Sequence, residues 1–336
     1  MQVSNVYASG LKEKIDIVYL WVDGSDPVWQ AKRHVAYKAW IQDNPNELAV
    51  FGNVAGRYRD NGELLFNLRA LEKFFPDHGH IYLVTDGQVP KWLQPSDRIT
   101  LVDHASLMAP TAGAVFDSGN IESYLHLIPG LSERFLYLND DVFFGETVDI
   151  DWWFGDRLKV FTEHMTVPNF SHFQPNETAL VNASILSKNW LSQRYPHYRH
   201  DARVYSHAPR PMIKSAMFEL EVIASELFER VRSTAFRSWQ CPAIVPDLVP
   251  RWMVLQGYAE QIILNPMHIS TGEPAAHKQF DKLLGEFGEL PFFCLNDTCD
   301  EAQLDDPRLQ RVSQTLSSLL PEPSSFELID ATSELA

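Results

Sequence analysis

Four runs of β-branched and aromatic residues in this chain each end in acid, and that recurrence sharply limits the folds open to it. Ile15 to Val22 runs into Asp23-Gly24-Ser25-Asp26, His80 to Thr85 into Asp86-Gly87, Ile99 to Val102 into Asp103-His104, and Arg134 to Leu138 into Asn139-Asp140-Asp141. Short apolar runs bounded by turn-forming residues have the signature of strands. Leu64, Leu65, Leu68, Leu71 and Phe75 recur at helical spacing between the first two runs, and a second helix is expected over Asn120 to Ile128, stopped by Pro129-Gly130. Alternation of this kind predicts an α/β fold with a mostly parallel central sheet. Ligands of open parallel sheets bind beyond the carboxyl ends of the strands, so the acid tips are expected to share one crevice.

The most informative tip is Tyr137 to Gly145, YLNDDVFFG. Adjacent carboxylates at Asp140 and Asp141 repel each other, an arrangement suited to a divalent cation or a strong hydrogen-bond network. An ordinary Asn-Asp turn accounts for the same residues equally well. Phe292-Phe293-Cys294-Leu295-Asn296-Asp297 repeats the pattern near the C-terminus, and a second Asn-Asp turn there can complete a metal shell or be a plain turn. Asp60 followed by Glu63 has the spacing of a capping box for the first helix, which Arg57, Arg59 and Arg69 flank as local cations for a phosphate-containing ligand.

Composition narrows the function classes. A net charge of −16 argues against nonspecific nucleic-acid binding, which depends on clustered Lys and Arg. With 336 residues and 45% hydrophobic content the chain can bury a real core. Cys241, Cys294 and Cys299 cannot all pair and form no CxxC couple, which suits a reducing compartment. The N-terminus lacks the apolar core of a signal peptide, and no run of about 18 apolar residues could span a bilayer, so a soluble, cytoplasmic protein is expected. The sequons at Asn176, Asn182 and Asn296 then read as chance matches.

The second half is patterned differently. A polar, aromatic-rich stretch from Met165 to His200 suggests an insertion or lid without legible regular structure. Pro211 suits the first turn of a helix, with Met212, Ile213, Met217, Leu220, Ile223, Leu227 and Val231 as its apolar face. His207 and Arg210 would stand beside an anion held at that helix start. Arg237, following the helix, could equally be a solvated cation complementing the helix dipole. A helix from Asp306 to Leu320 and a Pro- and Ser-rich acidic end, expected to be flexible, close the chain.

Five segments carry a family resemblance: Ile15 to Pro27, Arg57 to Leu93, Phe116 to Gly145, HAPRPM at His207 to Met212, and FFCLND at Phe292 to Asp297. In this order they resemble the conserved regions of the Stealth family, which includes bacterial capsular polysaccharide phosphotransferases and the catalytic subunit of the lysosomal-enzyme N-acetylglucosamine-1-phosphotransferase. The resemblance implies a nucleotide-sugar glycosyltransferase (GT-A-like) fold with a helical and irregular insertion. It divides the chain into an N-terminal arm at 1–14, a catalytic domain at 15–303 with its insertion at 165–260, and a C-terminal helix and tail at 304–336. The implied reaction moves a hexose-1-phosphate, N-acetylhexosamine-1-phosphate in the first instance, from a UDP-sugar donor to a glycan acceptor with release of UMP.

By motif, the resemblance places Asp23, Arg57, Asp60, Asn61, Glu63, Ser118 and Glu122 around the donor, and His207, Arg237 and Asp141 in the chemistry. It gives Asp140, Asp141, Asn296 and Asp297 to Mg²⁺ or Mn²⁺. A membrane-associated capsule assembly complex is the implied partner, with peripheral attachment at the inner membrane, although no strongly basic amphipathic anchor is present. Two departures bear on substrate identity. The chain has Ser118-Gly119 where relatives commonly have serine-histidine, and it follows Arg237 with SWQCPAIVPDLVP, making Asp247 the nearest acid in an uncertain register. The rival readings are a metal-dependent glycosyltransferase releasing UDP, a metal-dependent phosphohydrolase, and a non-catalytic carbohydrate-binding protein.

Overall fold

A computed structural model describes residues 14–109, 113–303 and 305–328. Most of the expected N-terminal arm and the last eight residues of the tail lie outside them. The four acid-tipped runs are strands of one sheet: β1 (Asp16–Leu20), β2 (Ile81–Thr85), β3 (Ile99–Asp103) and β4 (Arg134–Asn139). They lie in the order β3-β2-β1-β4 and are mutually parallel, as expected. The chain moves outward from β1 to one side through β2 and β3, then to the other side through β4. The reversal of strand order falls between β1 and β4, where a crevice opens beyond their carboxyl ends.

After Asp141 the chain leaves this sheet. The strand β5 (Val142–Phe144) joins a second sheet, which β10 (Met267–Ser270) and β11 (Phe292–Asn296) complete in the order β10-β11-β5. Three further strands, β6 (Leu158–Thr166), β7 (Arg203–Tyr205) and β9 (Ala259–Ile263), form a third sheet in the order β7-β6-β9. The chain returns from it through 206–209 to β8 (Arg210–Ile213), which pairs antiparallel with β4 at the edge of the first sheet. That return sets the start of β8 beside the end of β4, with Tyr137 opposite Arg210. The loop carrying His207 is thereby laid against the acidic turn.

This edge strand corrects the expected helix start at Pro211. The missing proline N–H is tolerated at a sheet edge as readily as in a first helical turn, so the residue alone does not choose between them. Helices follow at Lys214–Ile223 and Ser225–Arg232, leaving His207 and Arg210 away from any helix N-terminus. The region read as irregular contains the helix Ala179–Arg194. Asp247 binds Arg251 through both carboxylate oxygens (2.7 and 3.0 Å) and is not among the residues that line the crevice.

Of the helices beside the crevice, α1 (Pro27–Asp43) is capped by Asp26, and α2 (Glu63–Phe74) buries Leu64, Leu65, Leu68 and Leu71 as its spacing required. The capping box is displaced. Gly62 occupies the cap position at φ 88°, a left-handed conformation open to glycine. Asp60 instead accepts from Gly62 N (2.8 Å), while Glu63 accepts from Asn61 N (2.5 Å). The expected helix over 120–128 is broken into α3 (Ser118–Glu122), capped by Asp117, and a 3-10 turn at Leu125–Leu127.

The final helix spans Pro307–Leu319. The segment beyond it packs back on the body as far as it is described. Arg69 binds both oxygens of Glu327 (2.8 and 2.6 Å), and Phe326 is fully buried. Tertiary burial thus orders part of an end that composition marked as flexible.

Candidate active site

The crevice is lined by residues following β1 and β4, by Arg57 to Arg59 and Glu63, by Val115, Phe116 and Ser118, and by His207 and Leu295 to Asp297. Trp29, Tyr58 and Phe116 give it an apolar wall, with Phe116 stacked on Phe236 at 5.1 Å between ring centroids. Asp86 and His104, at the tips of β2 and β3, line it further along the sheet, joined at 2.8 Å.

The acidic turn is anchored from below by Asn67, a residue on α2 that is fully buried. Its amide nitrogen donates to the carbonyls of Asp140 (3.0 Å) and Val142 (2.6 Å), and its oxygen accepts from the Tyr19 hydroxyl (2.8 Å). No local pattern in the sequence marks Asn67, because its partners are 48 to 75 residues distant.

The two adjacent carboxylates differ in environment. Asp141 receives His207 Nε2 at 3.0 Å on one oxygen and Cys294 Sγ at 3.5 Å on the other. Burial works to raise its pKa, but His207, together with Cys294 and His268, outweighs that and holds it below the ordinary carboxylate value. Asp140 gains no such partner. Burial, then Asp141, Glu63 and Asp60, push its carboxyl well upward. Glu63 is pushed up to about 8 by burial and Asp60, and Asp60 is raised chiefly by burial. Such repulsion among acids is relieved by a proton or a hard cation.

The oxygen donors around Asp140 fit Mg²⁺ or Mn²⁺. Asp297, although it lines the crevice, accepts from Arg59 (2.5 Å) on one oxygen and Cys299 N (2.8 Å) on the other. Asn296 also lines the crevice. Asp140, Asp141 and Asp297 do not form a cluster of mutually close ligand atoms, whereas Asp141, His207 and Cys294 do.

A second focus is cationic. Arg237 donates through Nε to Asp117 (3.1 Å) and through Nη2 to the Ser118 hydroxyl (2.8 Å), which Arg57 Nη2 approaches at 3.5 Å. It is therefore fixed by α3, unlike a solvated helix-end cation. Burial and then the neighbouring Arg237 lower the Arg57 pKa, and its Nε is buried without a partner. Two guanidiniums so placed can stabilise an anion at the crevice wall. Of the three expected cations, Arg59 and Arg69 are committed to Asp297 and Glu327.

Arg237 and the remaining expected residues, Asp23, Asp60, Asn61 and Glu122, are not among the side chains that line the crevice. Asp23 accepts from the backbone and hydroxyl of Ser25. Asp60 accepts from Trp21 Nε1 (3.0 Å), and Asn61 donates to Glu63 (2.8 Å). Glu122 is buried behind α3, accepting from the Tyr137 hydroxyl at 2.9 Å, with its other oxygen unpartnered. Gly119 explains the departure from serine-histidine: a Cβ there would meet the Ala243 Cβ at 2.6 Å. Among the described residues no helix is long and apolar enough to cross a membrane.

Models of the Stealth conserved regions match the chain in three places: region 1 at residues 13–36, region 2 at 57–162 and region 4 at 289–335. An exopolysaccharide phosphotransferase of Streptomyces coelicolor is 33% identical over 321 residues, 93% of this chain, which spans 52% of that relative's length. A capsular polysaccharide phosphotransferase of Actinobacillus suis is 31% identical over 310 residues, 89% of this chain and 81% of that protein. A solved galactosyltransferase, in complex with donor and acceptor sugar analogs, covers 92% of this chain and 98% of its own at TM-score 0.41 and 10% identity. Ordered matches along the chain and identity above 30% to a relative covered over most of its length place the chain in the Stealth protein family.

Proposed function

We propose that this chain is a sugar-1-phosphate transferase: it moves a hexose-1-phosphate from a UDP-sugar to a glycan hydroxyl and releases UMP. The observation that carries this reading is that one crevice is lined both by the Asp141–His207 couple and by Arg57 and Ser118, with Arg237 bonded to Ser118 behind them. Phosphoryl transfer requires an activated hydroxyl and concentrated positive charge around the transferring group, and these foci supply both. Relatives named as capsular and exopolysaccharide phosphotransferases favour the same chemistry, as does the aromatic wall, suited to a nucleobase.

Asp141 accepts from Nε2–H of His207, which leaves Nδ1 to take the acceptor hydroxyl proton. Arg57 and Arg237 hold the transferring phosphoryl oxygens, and Ser118 fixes the angle between the two guanidiniums. Asp140 and Asn296, which both line the crevice, would hold Mg²⁺ or Mn²⁺, since Asp141 is committed to His207 and Asp297 to Arg59. The ion, when bound, supplies charge that offsets the diphosphate and the departing monophosphate. The names of the relatives favour a role in capsular or exopolysaccharide synthesis.

The released nucleotide tests the reaction. Incubation with UDP-sugars, a glycan acceptor and Mg²⁺ is expected to yield UMP only when acceptor is present. Release of UDP identifies a glycosyltransferase, UMP without acceptor a hydrolase, and donor binding without turnover a carbohydrate-binding role.

Cation binding at Asp140 carries its own signature in stability. Glu63 holds its proton up to about 8 in the fold but sheds it near 4.5 in the unfolded chain. Between those values the fold binds more protons, so this contribution is complete below the lower value and is lost as pH rises through the upper one. Asp140, raised well above its ordinary value, acts in the same direction. The melting temperature of cation-free protein is expected to fall between about pH 5 and pH 8, and Mg²⁺ is expected to reduce that fall by replacing the proton. A profile that Mg²⁺ leaves unchanged refutes the site.

A further inference from the structure

Asp141, His207 and Cys294 bring together donors unlike the all-oxygen set around Asp140. His207 Nε2 lies 3.0 Å from one Asp141 oxygen and Cys294 Sγ 3.5 Å from the other, and one ligand atom from each residue falls within 4.8 Å of the other two. The three arrive on separate elements: the β4–β5 turn, the β7–β8 loop and the middle of β11. Sheet pairing holds them in place, because Cys294 sits opposite Val142 and the next backbone N–H, of Leu295, donates to the Asp141 carbonyl at 3.0 Å. In a tetrahedral zinc site, Zn–N and Zn–O bonds of about 2.0–2.1 Å and a Zn–S bond of about 2.3 Å put neighbouring donors roughly 3.3–3.8 Å apart. The two spacings to Asp141, 3.0 and 3.5 Å, already lie close to that range.

Resting on the reading of His207 as the proton acceptor, we propose that Asp141, His207 and Cys294 form a second cation site, selective for a thiophilic divalent ion such as Zn²⁺, whose occupation switches the transferase off. Thiolate and imidazole favour Zn²⁺ over Mg²⁺, which prefers oxygen ligands. On binding, the Cys294 thiol loses its proton to solvent and its sulfur bonds the ion, while the Nε2 proton passes through solvent to Nδ1 and the freed Nε2 lone pair bonds the ion in place of the hydrogen bond to Asp141. The imidazole then has no free role at the acceptor. Asp141 and His207 line the crevice and give the ion its entry, and three protein ligands leave a fourth position for water. The cluster of Asp86, Asp103 and His104 offers no parallel, because the Lys32 ammonium already stands 2.5 Å from Asp86.

Cobalt(II) serves as the spectroscopic substitute for Zn²⁺, titrated into the whole protein with no nucleotide sugar present. A thiolate-to-cobalt charge-transfer band at one equivalent is expected, displaced by Zn²⁺, lost in Cys294→Ser and kept in Cys241→Ser and Cys299→Ser. In turnover with saturating Mg²⁺, each protein normalised to its own rate without Zn²⁺, the concentration for half-inhibition is expected to rise about tenfold or more in Cys294→Ser. A band that survives in Cys294→Ser, no band at all, or a band without inhibition overturns the proposal. If Cys294→Ser does not fold, His207→Ala must weaken cobalt binding about tenfold or more, and unchanged affinity overturns the site. A protein inactive with every donor refutes the transferase reading, while the cobalt spectrum still decides whether the ligand set exists.

Discussion

Arg237→Ala is expected to lower kcat about 10³-fold with a smaller change in KM, the loss characteristic of a guanidinium that meets charge developing on a transferring phosphoryl group. Its side chain is committed before substrate arrives: Nε to Asp117 and Nη2 to Ser118, with Arg57 approaching the same hydroxyl. Burial alone would lower its pKa, but Asp117 and Glu122 outweigh that and raise it, so the charge persists in a partly dry wall. Arg237→Lys is expected to recover little activity, since an ammonium cannot reproduce the fork that reaches both Asp117 and Ser118. Truncation leaves Asp117 buried without its partner, so thermal melting must accompany the kinetics. A folded Arg237→Ala enzyme with kcat intact and KM raised would reassign the residue to binding that is uniform along the reaction.

The parts of this arrangement that sequence reveals are those specified by near neighbours. Strand runs ending in acid give β1 to β4 and the direction in which their tips point, because β propensity and turn punctuation act within a few residues. Where a residue type serves two local structures equally, context decides: Pro211 is compatible with a first helical turn or an edge strand, and pairing with Leu136 selects the strand. Gly62 moves the start of α2 past Asp60, shifting the expected cap onto a left-handed glycine. The long-range partners carry no local mark. Asn67 beneath the acidic turn, Cys294 against Asp141, and Asp117 against Arg237 are united by sheet order and by the path of β8. Family resemblance named His207 and Arg237 but not the neighbours that set their charge and orientation.

His207→Ala is expected to reduce turnover by about 10²- to 10⁴-fold while donor affinity stays nearly constant, because the imidazole acts on the acceptor hydroxyl and not on the nucleotide. Its ring is about one-third exposed at the crevice and bonded through Nε2 to Asp141 at 3.0 Å. Asp141→Asn provides the discriminating companion. An amide can donate to Nε2 and favour the tautomer with its hydrogen on Nδ1, which removes the lone pair assigned to the acceptor. The two variants should therefore fail similarly in transfer, and the double variant should be little worse than either, since both remove one function. Donor affinity, measured by titration with a UDP-sugar in Mg²⁺, separates this couple from the cation site: His207→Ala retains it, whereas Asp140→Ala weakens it. Full activity in His207→Ala would remove the imidazole from the chemistry and leave Asp141 with no reason to be held ionised between a histidine and a buried thiol.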